Sequence, residues 1–188
     1  MRLDRTDGIL SLDSVRLDHI ADRFGTPTYV YSWNDIEDRY RDLEQALAET
    51  RHRICYSVKA NSNLSILHQL SKLGANFDVV SGGELERLMV VGIPLSLAIF
   101  SGVGKSVAEI DFALKAGIGC FNMESTAELK RIDARANLLG KRAPVSVRLN
   151  PDVDAGTHAK ISTGMKENKF GVPIDQAGEI FTRLAALD

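Results

Sequence analysis

Residues 54–63 of this chain read ICYSVKANSN, a strand-like run followed by the start of a helical pattern. The apolar and β-branched run Ile54–Val58 predicts a short strand, and Lys59 comes directly at its end. In folds built from parallel strands, the carboxyl ends of the strands carry the chemistry. A lysine amine there can act as a nucleophile toward a carbonyl group and form a Schiff base. Taken alone, the segment favours the simpler interpretation of a solvated lysine that ends a strand.

The same strand–helix unit recurs along the chain at nearly constant intervals. Strand-like runs begin near Ile54, Asn76, Ala98, Cys120 and Val145, at intervals of 22, 22, 22 and 25 residues. Helical patterns lie between them, and three helices open with a Ser-x-x-Glu capping box, at Ser81, Ser106 and Ser125. A glycine falls where each of four helices should end, at Gly74, Gly92, Gly117 and Gly140.

This repeat predicts the fold class. Strands that alternate with single short helices imply a parallel sheet with right-handed crossovers. The even period, without a long excursion, favours a (β/α)8 TIM-type barrel over a doubly wound sheet. A complete barrel takes about 200 residues or more, whereas this chain offers about five strands and one further helix near 174–184. We therefore expect an incomplete N-terminal part of a barrel from a longer enzyme.

The beginning of the chain differs from the repeat. Residues 1–32 are charged and mixed, with a short helical pattern near 14–24 and a β-branched, aromatic run, Thr28–Tyr31, that predicts a strand. Ser32, with Asp35 three residues on, resembles a capping box that opens the next helix. We predict that residues 1–32 form an N-terminal segment whose strand joins a second β-domain absent from this chain. Residues 33–188 are then the partial barrel.

Composition argues against several classes of function. The net charge of −2 offers no polyelectrolyte surface for nucleic acid. The four histidines are scattered, without the spacing of a metal site. There is no signal-peptide core and no apolar run near the roughly 20 residues that a membrane span needs. Cys55 and Cys120 form no CxxC pair and indicate reduced, buried thiols in a cytoplasmic protein.

The segment Ser101–Ser106 needs testing as a nucleotide site, because it is rich in glycine and lies between a strand and a helix. A P-loop requires a glycine five residues before Gly104, where this chain has Ile99. A dinucleotide fingerprint requires glycine or alanine where this chain has Val107. Both motifs fail, so a tight turn is predicted, although Lys105 can still line the mouth of the barrel.

Two further charged residues lie in strand-like runs. Asp78 lies near the end of the second strand, and Arg148 near the end of the fifth. A charge inside an apolar strand is costly without a partner, so each residue alone can be explained by a structural ion pair. Together with Lys59, however, they place three charges near the ends of three barrel strands, which indicates a site. Glu84 is more typical of a capping residue.

Two polar stretches further along are interpreted as loops. Residues 152–158 are acidic but lack the spacing and the terminal glutamate of a calcium-binding EF-hand. Residues 163–172 form a long stretch whose composition predicts only that it is exposed.

Several motifs in one order resemble those of the pyridoxal-phosphate-dependent decarboxylases of the alanine-racemase fold type (fold type III), and most closely the members that act on diaminopimelate. The resemblance runs from Thr26 to about Val172. It is carried by Tyr56–Asn61, Phe77–Glu84, Phe100–Lys105, Arg148–Asp154, Thr157–His158, Ile161–Gly164 and Asn168–Gly171. Alanine racemases have a Tyr-Gly-His stretch after Lys-Ala-Asn, where this chain has Ser62–Leu64.

The resemblance implies a role for three residues. Lys59 would be the catalytic residue that binds pyridoxal 5′-phosphate as a Schiff base until the substrate amine displaces it. Asp78 would lie beside the cofactor and Lys59, and Arg148 would support the cofactor ring from beneath. The protonated ring would act as electron sink after CO₂ departs. The implied reaction converts meso-2,6-diaminopimelate to L-lysine, a step of lysine biosynthesis.

The same resemblance places other parts of the site beyond Asp188. They are a histidine that stacks on the cofactor, a glycine-rich phosphate loop, a glutamate at the pyridine nitrogen and the substrate-binding arginines. The full-length protein is expected to be a homodimer with shared active sites, and this chain alone is expected to have little or no activity. Two alternatives stay open: a sister decarboxylase acting on ornithine, arginine or carboxynorspermidine, and a non-catalytic truncated remnant.

Overall fold

A computed structural model describes residues 3–6, 8–151 and 171–185 of the chain. The chain divides into two compact units, Met1–Arg53 and Ile54–Asp188. Within the described ranges, no helix is both long and apolar enough to cross a membrane. The predicted loop at 152–158, and most of the loop at 163–172, lie outside the described residues.

The first unit begins with a small antiparallel sheet that the sequence did not predict. Its strands are β1 (Leu3–Thr6), β2 (Ile9–Leu12) and β3 (Val15–Arg16), which pair in that order. Asp13 and Ser14 form the turn between β2 and β3, with φ angles of 51° and 66° that suit a tight hairpin. The strands are only two to four residues long, too short for a clear alternation of apolar and polar residues.

The predicted strand at 28–31 has no pairing partner among the described strands. Residues 28–31 lie between helices α1 (Leu17–Phe24) and α2 (Trp33–Ala46), and none of the described strands pairs with them. Tyr29 in this segment is 89% exposed. β-branched and aromatic residues favour a strand through packing against cross-strand neighbours, and none of the described strands supplies them here. Its joining to a further domain, and the boundary after residue 32, stay predictions.

Helix α2 begins where the sequence predicts. Ser32 Oγ accepts a hydrogen bond from the backbone N–H of Asp35 at 2.9 Å and donates one to Asp13 Oδ2 at 2.6 Å. The serine therefore caps the helix and joins its first turn to the hairpin turn of the small sheet.

The second unit is built on a five-stranded parallel sheet, as the repeat predicts. Its strands are β4 (Cys55–Ser57), β5 (Asn76–Val79), β6 (Ala98–Phe100), β7 (Cys120–Met123) and β8 (Val145–Val147). They lie side by side in chain order, each parallel to the next. A (β/α) barrel has this sequential order, whereas a doubly wound sheet reverses its order at a switch point. The prediction of a five-stranded part of a barrel is confirmed.

One helix connects each strand to the next. The helices are α3 (Leu64–Lys72), α4 (Gly82–Val90), α5 (Val107–Lys115) and α6 (Thr126–Leu138). The three predicted serines cap α4, α5 and α6 by accepting a hydrogen bond from the N–H three residues on. The four predicted glycines end the helices with positive φ angles between 59° and 93°, a conformation that lacks a steric penalty only for glycine.

The core of the second unit lies on one face of the sheet. Six strand residues are fully buried there: Phe77, Val79, Ala98, Phe100, Phe121 and Met123. The helices contribute fully buried apolar residues of their own, among them Leu67, Leu85 and Ile110. Because side chains alternate along a strand, the intervening residues Asp78 and Asn122 point to the opposite face and are half-buried. The sheet thus has an apolar outer face and a polar inner face.

The chain continues past β8 into a second, smaller pairing. Strand β9 (Leu149–Asn150) pairs in parallel with β10 (Val172–Pro173), and helix α7 (Ala177–Ala185) follows. Ile180 of α7 packs in one buried cluster with Met123, Leu129 and Val172. The prediction of a further helix near 174–184 is confirmed.

Candidate functional site

Lys59 lies at the carboxyl edge of the parallel sheet, as predicted. It is the middle residue of a single 3-10 turn, Val58–Ala60, that directly follows β4. Val58 is fully buried, whereas Lys59 is exposed. Tyr56 Oη donates a hydrogen bond to Asn61 O at 3.1 Å, which closes the segment around the lysine. The backbone of Lys59 is therefore held between buried Val58 and Asn61, whose carbonyl binds Tyr56, while the Lys59 side chain is exposed.

Asp78 lies on the neighbouring strand. In the register of β4 and β5 it is opposite Ser57, two residues before Lys59. Its Oδ1 accepts a hydrogen bond from Ser101 Oγ at 2.5 Å, and its Oδ2 accepts one from Ser57 Oγ at 3.5 Å. The hydroxyl groups of Ser57 on β4 and of Ser101, directly after β6, therefore hold the carboxylate. Both lie at the carboxyl edge of the sheet, where Lys59 also lies.

Hydrogen bonds continue from Asp78 across the inner face of the sheet. Ser101 Oγ accepts a hydrogen bond from Asn122 Nδ2 at 2.9 Å, and Asn122 Oδ1 accepts one from Ser146 Oγ. Sequence reasoning missed Ser101, Asn122 and Ser146 as a set, since only the register of the strands brings them together. The available signal was one polar residue near the end of each successive strand.

Arg148 lies at the far side of the same sheet, directly after β8 and three strands from Asp78. Its Nη1 donates to both carboxylate oxygens of Glu124, at 3.3 Å and 3.2 Å. Glu124 is 5% exposed and also accepts a hydrogen bond from the backbone N–H of Gly102 at 3.1 Å. The ion pair considered for Arg148 is therefore present. Glu124 was not predicted, although an acidic residue directly after an apolar strand is the signal that could have identified it.

The suggestion that Lys105 lines the mouth of the barrel is wrong. Its side chain is 1% exposed. Its Nζ donates to Gly102 O at 2.7 Å, Asn122 O at 2.9 Å and Glu128 Oε1 at 2.8 Å. An ammonium group has three N–H donors, and all three are used here. Lys105 is therefore a structural cation that ties the turn before α5 to the first turn of α6.

Glu84 is a capping residue, as predicted. Its Oε2 accepts a hydrogen bond from the backbone N–H of Val80 at 2.7 Å, and its own N–H donates to Ser81 Oγ at 3.3 Å. Glu109 has the same position in α5 and also accepts a hydrogen bond from the backbone N–H of Gly82 at 2.8 Å. The starts of α4 and α5 are thereby joined.

The carboxyl edge of the sheet offers groups that fit pyridoxal phosphate. Lys59 presents an accessible amine for an aldehyde, and Asp78 on the next strand offers a negative charge to the cation that such an amine forms. Arg148 adds a positive charge that suits an anionic cofactor. Among the described residues, no group of three or more His, Cys, Asp or Glu side chains could hold a metal ion.

A cleft of about 220 Å³ lies elsewhere in the second unit. Its lining includes Ile132 and Ala136 of α6, Arg142, Val145 at the start of β8, and Leu184 of α7. Since Val145 begins its strand, this cleft is at the amino end of β8, away from the edge that carries Lys59.

Comparison with known proteins identifies the family. The model of the pyridoxal-dependent decarboxylase family, pyridoxal binding domain, matches residues 33–188. This chain belongs to the pyridoxal-dependent decarboxylase family. The cofactor expected from the sequence, pyridoxal phosphate, is therefore the cofactor of the family to which the chain belongs.

Individual relatives within the decarboxylase family agree. A diaminopimelate decarboxylase of Pseudomonas aeruginosa is 53% identical over 97% of this chain, which spans 44% of the relative's length. Diaminopimelate decarboxylase from M. jannaschii, solved with L-lysine, has a TM-score of 0.90 and 36% identity over 99% of this chain and 45% of its own. The enzyme from Helicobacter pylori, also solved with L-lysine, has a TM-score of 0.87 and 43% identity over 91% of this chain and 43% of its own.

These likenesses confirm the family and the barrel fold that the sequence predicted. The chain spans less than half the length of the decarboxylases that it matches. The roles of Lys59, Asp78 and Arg148 stay predictions.

Proposed function

We propose that this chain is the cofactor-binding part of a diaminopimelate decarboxylase, with Lys59 as the residue that binds pyridoxal phosphate covalently. The observation that carries the proposal is the exposed Lys59 at the carboxyl end of β4, with Asp78 opposite Ser57 on the adjacent strand. The relatives named diaminopimelate decarboxylase support meso-2,6-diaminopimelate as substrate, with L-lysine and CO₂ as products.

Each of the three predicted site residues has a defined task in this proposal. When bound, pyridoxal phosphate supplies the electron sink for the electron pair that the departing CO₂ leaves on the substrate. Lys59 Nζ would hold the cofactor covalently, and on replacement by the substrate amine it would leave as an amine carrying a proton that the substrate nitrogen has lost. Asp78 stabilises positive charge at Lys59 Nζ. Arg148, oriented by Glu124, offers positive charge to the anionic cofactor.

A chimeric enzyme tests the proposal. Residues 1–188 replace the matching part of the Pseudomonas aeruginosa relative, and CO₂ release from meso-diaminopimelate is measured. The chimera is expected to be active, because the relative supplies the part of the enzyme that this chain does not span. Lys59→Ala is expected to lower kcat by at least about a thousandfold, since it removes the amine that binds the cofactor covalently.

Lys72→Ala is the matched control, because Lys72 is an exposed lysine in the last turn of α3. It should keep the activity of the unchanged chimera. A chimera that binds the cofactor but retains turnover after Lys59→Ala would contradict the assignment of Lys59. A folded chimera that fails to release CO₂ would count against the reaction.

Sister substrates separate the enzyme alternatives. The same chimera is offered L-ornithine, L-arginine and carboxynorspermidine, and kcat/KM is compared with that for meso-diaminopimelate. The identity to diaminopimelate decarboxylases favours meso-diaminopimelate. The alternative to an enzyme is a non-catalytic remnant. Activity of the chimera would show that the site residues of this chain are competent for catalysis, which would count against that alternative.

The proposal also covers the oligomeric state and the cellular location of the full-length protein. We propose a homodimer with shared active sites, as the resemblance implies, which light scattering on the full-length protein would test. We also propose a cytoplasmic location, which agrees with Cys120 forming no disulfide among the described residues, since disulfides are rare in that compartment.

A further inference from the structure

The hydrogen bonds on the inner face of the sheet have one direction. Ser146 donates to Asn122, Asn122 donates to Ser101, and Ser101 donates to Asp78. Every donor in this chain of contacts therefore points toward the same carboxylate. Hydrogen bonds in such a series polarise one another, and those that end on an ionised acceptor are the strongest.

We propose that Ser101 and Asn122 are positioning residues for Asp78 in the cofactor site. Neither residue has been assigned a role by the sequence, and neither follows from the contacts of Lys59 itself. Ser101 is the decisive member, because it joins the carboxylate of Asp78 to the rest of the series. The inference rests on the proposed function, in which Asp78 faces the cofactor-bound Lys59.

The backbone around Ser101 supports a positioning role. The N–H of Ser101 donates to Val79 O at 2.8 Å, so the residue extends the pairing of β6 with β5 by one position. The next residue, Gly102, has a φ of 99° and is held by Glu124 through its N–H. The hydroxyl of Ser101 is thus presented from a fixed backbone.

Two contacts determine the orientation of the Asp78 carboxylate. Ser101 Oγ contacts Oδ1 at 2.5 Å, whereas Ser57 Oγ contacts Oδ2 at 3.5 Å, near the limit of a hydrogen bond. Loss of the Ser101 hydroxyl would leave only the longer contact, and the carboxylate would no longer be held in one orientation. Even a small misplacement of a group at a reacting centre has large effects on rate.

The test measures how the cofactor is held. Ser101→Ala, Ser101→Thr and Ser146→Ala are made in the chimera, with Ser65→Ala on the exposed face of α3 as matched control. The dissociation constant for pyridoxal phosphate is determined for each, together with the induced circular dichroism of the bound cofactor. The free energy of unfolding of the cofactor-free protein is measured in parallel.

Ser101→Ala is expected to weaken cofactor binding by about tenfold, the loss typical of one hydrogen bond to a charged group. It should also change the induced circular dichroism. Ser101→Thr should restore both quantities, because threonine keeps the hydroxyl. Ser146→Ala, at the far end of the series, should weaken binding by no more than about threefold, and Ser65→Ala should leave it unchanged.

The outcomes separate this inference from the function on which it rests. If the unchanged chimera carries pyridoxal phosphate on Lys59 and Ser101→Ala binds it equally well, the positioning role is wrong and the proposed function stands. If Ser101→Thr behaves like Ser101→Ala, the effect is steric, and the positioning role is also wrong. If the unchanged chimera does not carry the cofactor on Lys59, the proposed function itself fails.

Discussion

At the scale of single residues, Lys105 and Glu128 form an ion pair whose side chains are 1% and 6% exposed. Glu128 Oε2 accepts a hydrogen bond from the backbone N–H of Glu124 at 2.8 Å, and Glu124 contacts Arg148. The buried pair therefore supports the turn that carries the partner of Arg148. A pair of this kind stabilises only while both charges are present, because one charge left alone in the interior is not compensated.

Lys105→Met is therefore expected to destabilise the protein by about 3–5 kcal/mol. Methionine fills a similar volume but leaves the carboxylate of Glu128 without its cation. The free energy of unfolding from urea titration is the quantity to measure.

Lys130→Met is the matched control, because Lys130 is exposed on α6 and its replacement removes the same charge. It should change the free energy of unfolding by less than about 0.5 kcal/mol. Equal effects of Lys105→Met and Lys130→Met would contradict the structural role of the buried pair.

Residue types alone did not distinguish the two lysines near strand ends. Lys59 and Lys105 both follow a strand by a few residues, and the sequence suggested the mouth of the barrel for each. Lys105 is buried because the carbonyl of Asn122 and the carboxylate of Glu128 lie within reach of its amine. Those partners are 17 and 23 residues away in sequence, so only the register of the strands reveals them.

At the scale of secondary structure elements, Glu109 joins two helix starts. Its carboxylate accepts hydrogen bonds from the backbone N–H of Ser106 at 2.9 Å, from that of Gly82 at 2.8 Å and from the Ser106 hydroxyl at 2.7 Å. The backbone N–H groups of Ser106 and Gly82, and then the Ser106 hydroxyl, hold the pKa of Glu109 below its ordinary value of 4.5. Each of these donors favours the ionised form.

The lowered pKa gives a pH-dependent prediction for Glu109→Gln. On acidification the unfolded chain binds the proton first, so the carboxylate stabilises the fold fully above about pH 4.5 and loses this effect as pH falls through the lowered pKa. Wild type should therefore be more stable than Glu109→Gln near neutral pH, and the difference should shrink below about pH 4.5.

Urea unfolding between about pH 3 and pH 7 measures this difference. Glu86→Gln serves as control, since Glu86 is exposed on α4, and it should stay close to wild type throughout. A difference between wild type and Glu109→Gln that grows toward acid would have the wrong sign and would exclude the proposed tie between α4 and α5.

Elements with a strong local signal were predicted well. The five parallel strands, and the capping serines and terminal glycines of the helices between them, follow from period, caps and turn chemistry, which act within a few residues. The hairpin at Asp13–Ser14 was missed, because its strands are two to four residues long and carry little pattern. For residues 28–31, the strand-like composition is matched by no pairing among the described strands, and a strand there stays a prediction.

At the scale of the whole molecule, the period of the repeat predicted the parallel sheet, and solved decarboxylases agree with it at TM-scores of up to 0.90. The same period brought Lys59 and Asp78 to adjacent strands. It did not predict that Ser101, Asn122 and Ser146 would link to Asp78, nor that Glu124 would hold Arg148. Those contacts depend on the register of the strands and on side-chain orientation across them. Neither can be predicted from the sequence of one segment alone.

The central claim is that Lys59 binds pyridoxal phosphate, and one measurement tests it directly. The protein is incubated with pyridoxal phosphate, reduced with borohydride and mapped by mass spectrometry, with Lys59→Arg as control. A single pyridoxyl adduct on Lys59, absent from the control and with buried Lys105 unmodified, is the predicted result. Adducts spread over the exposed lysines without preference for Lys59, at equal yield in Lys59→Arg, would contradict it.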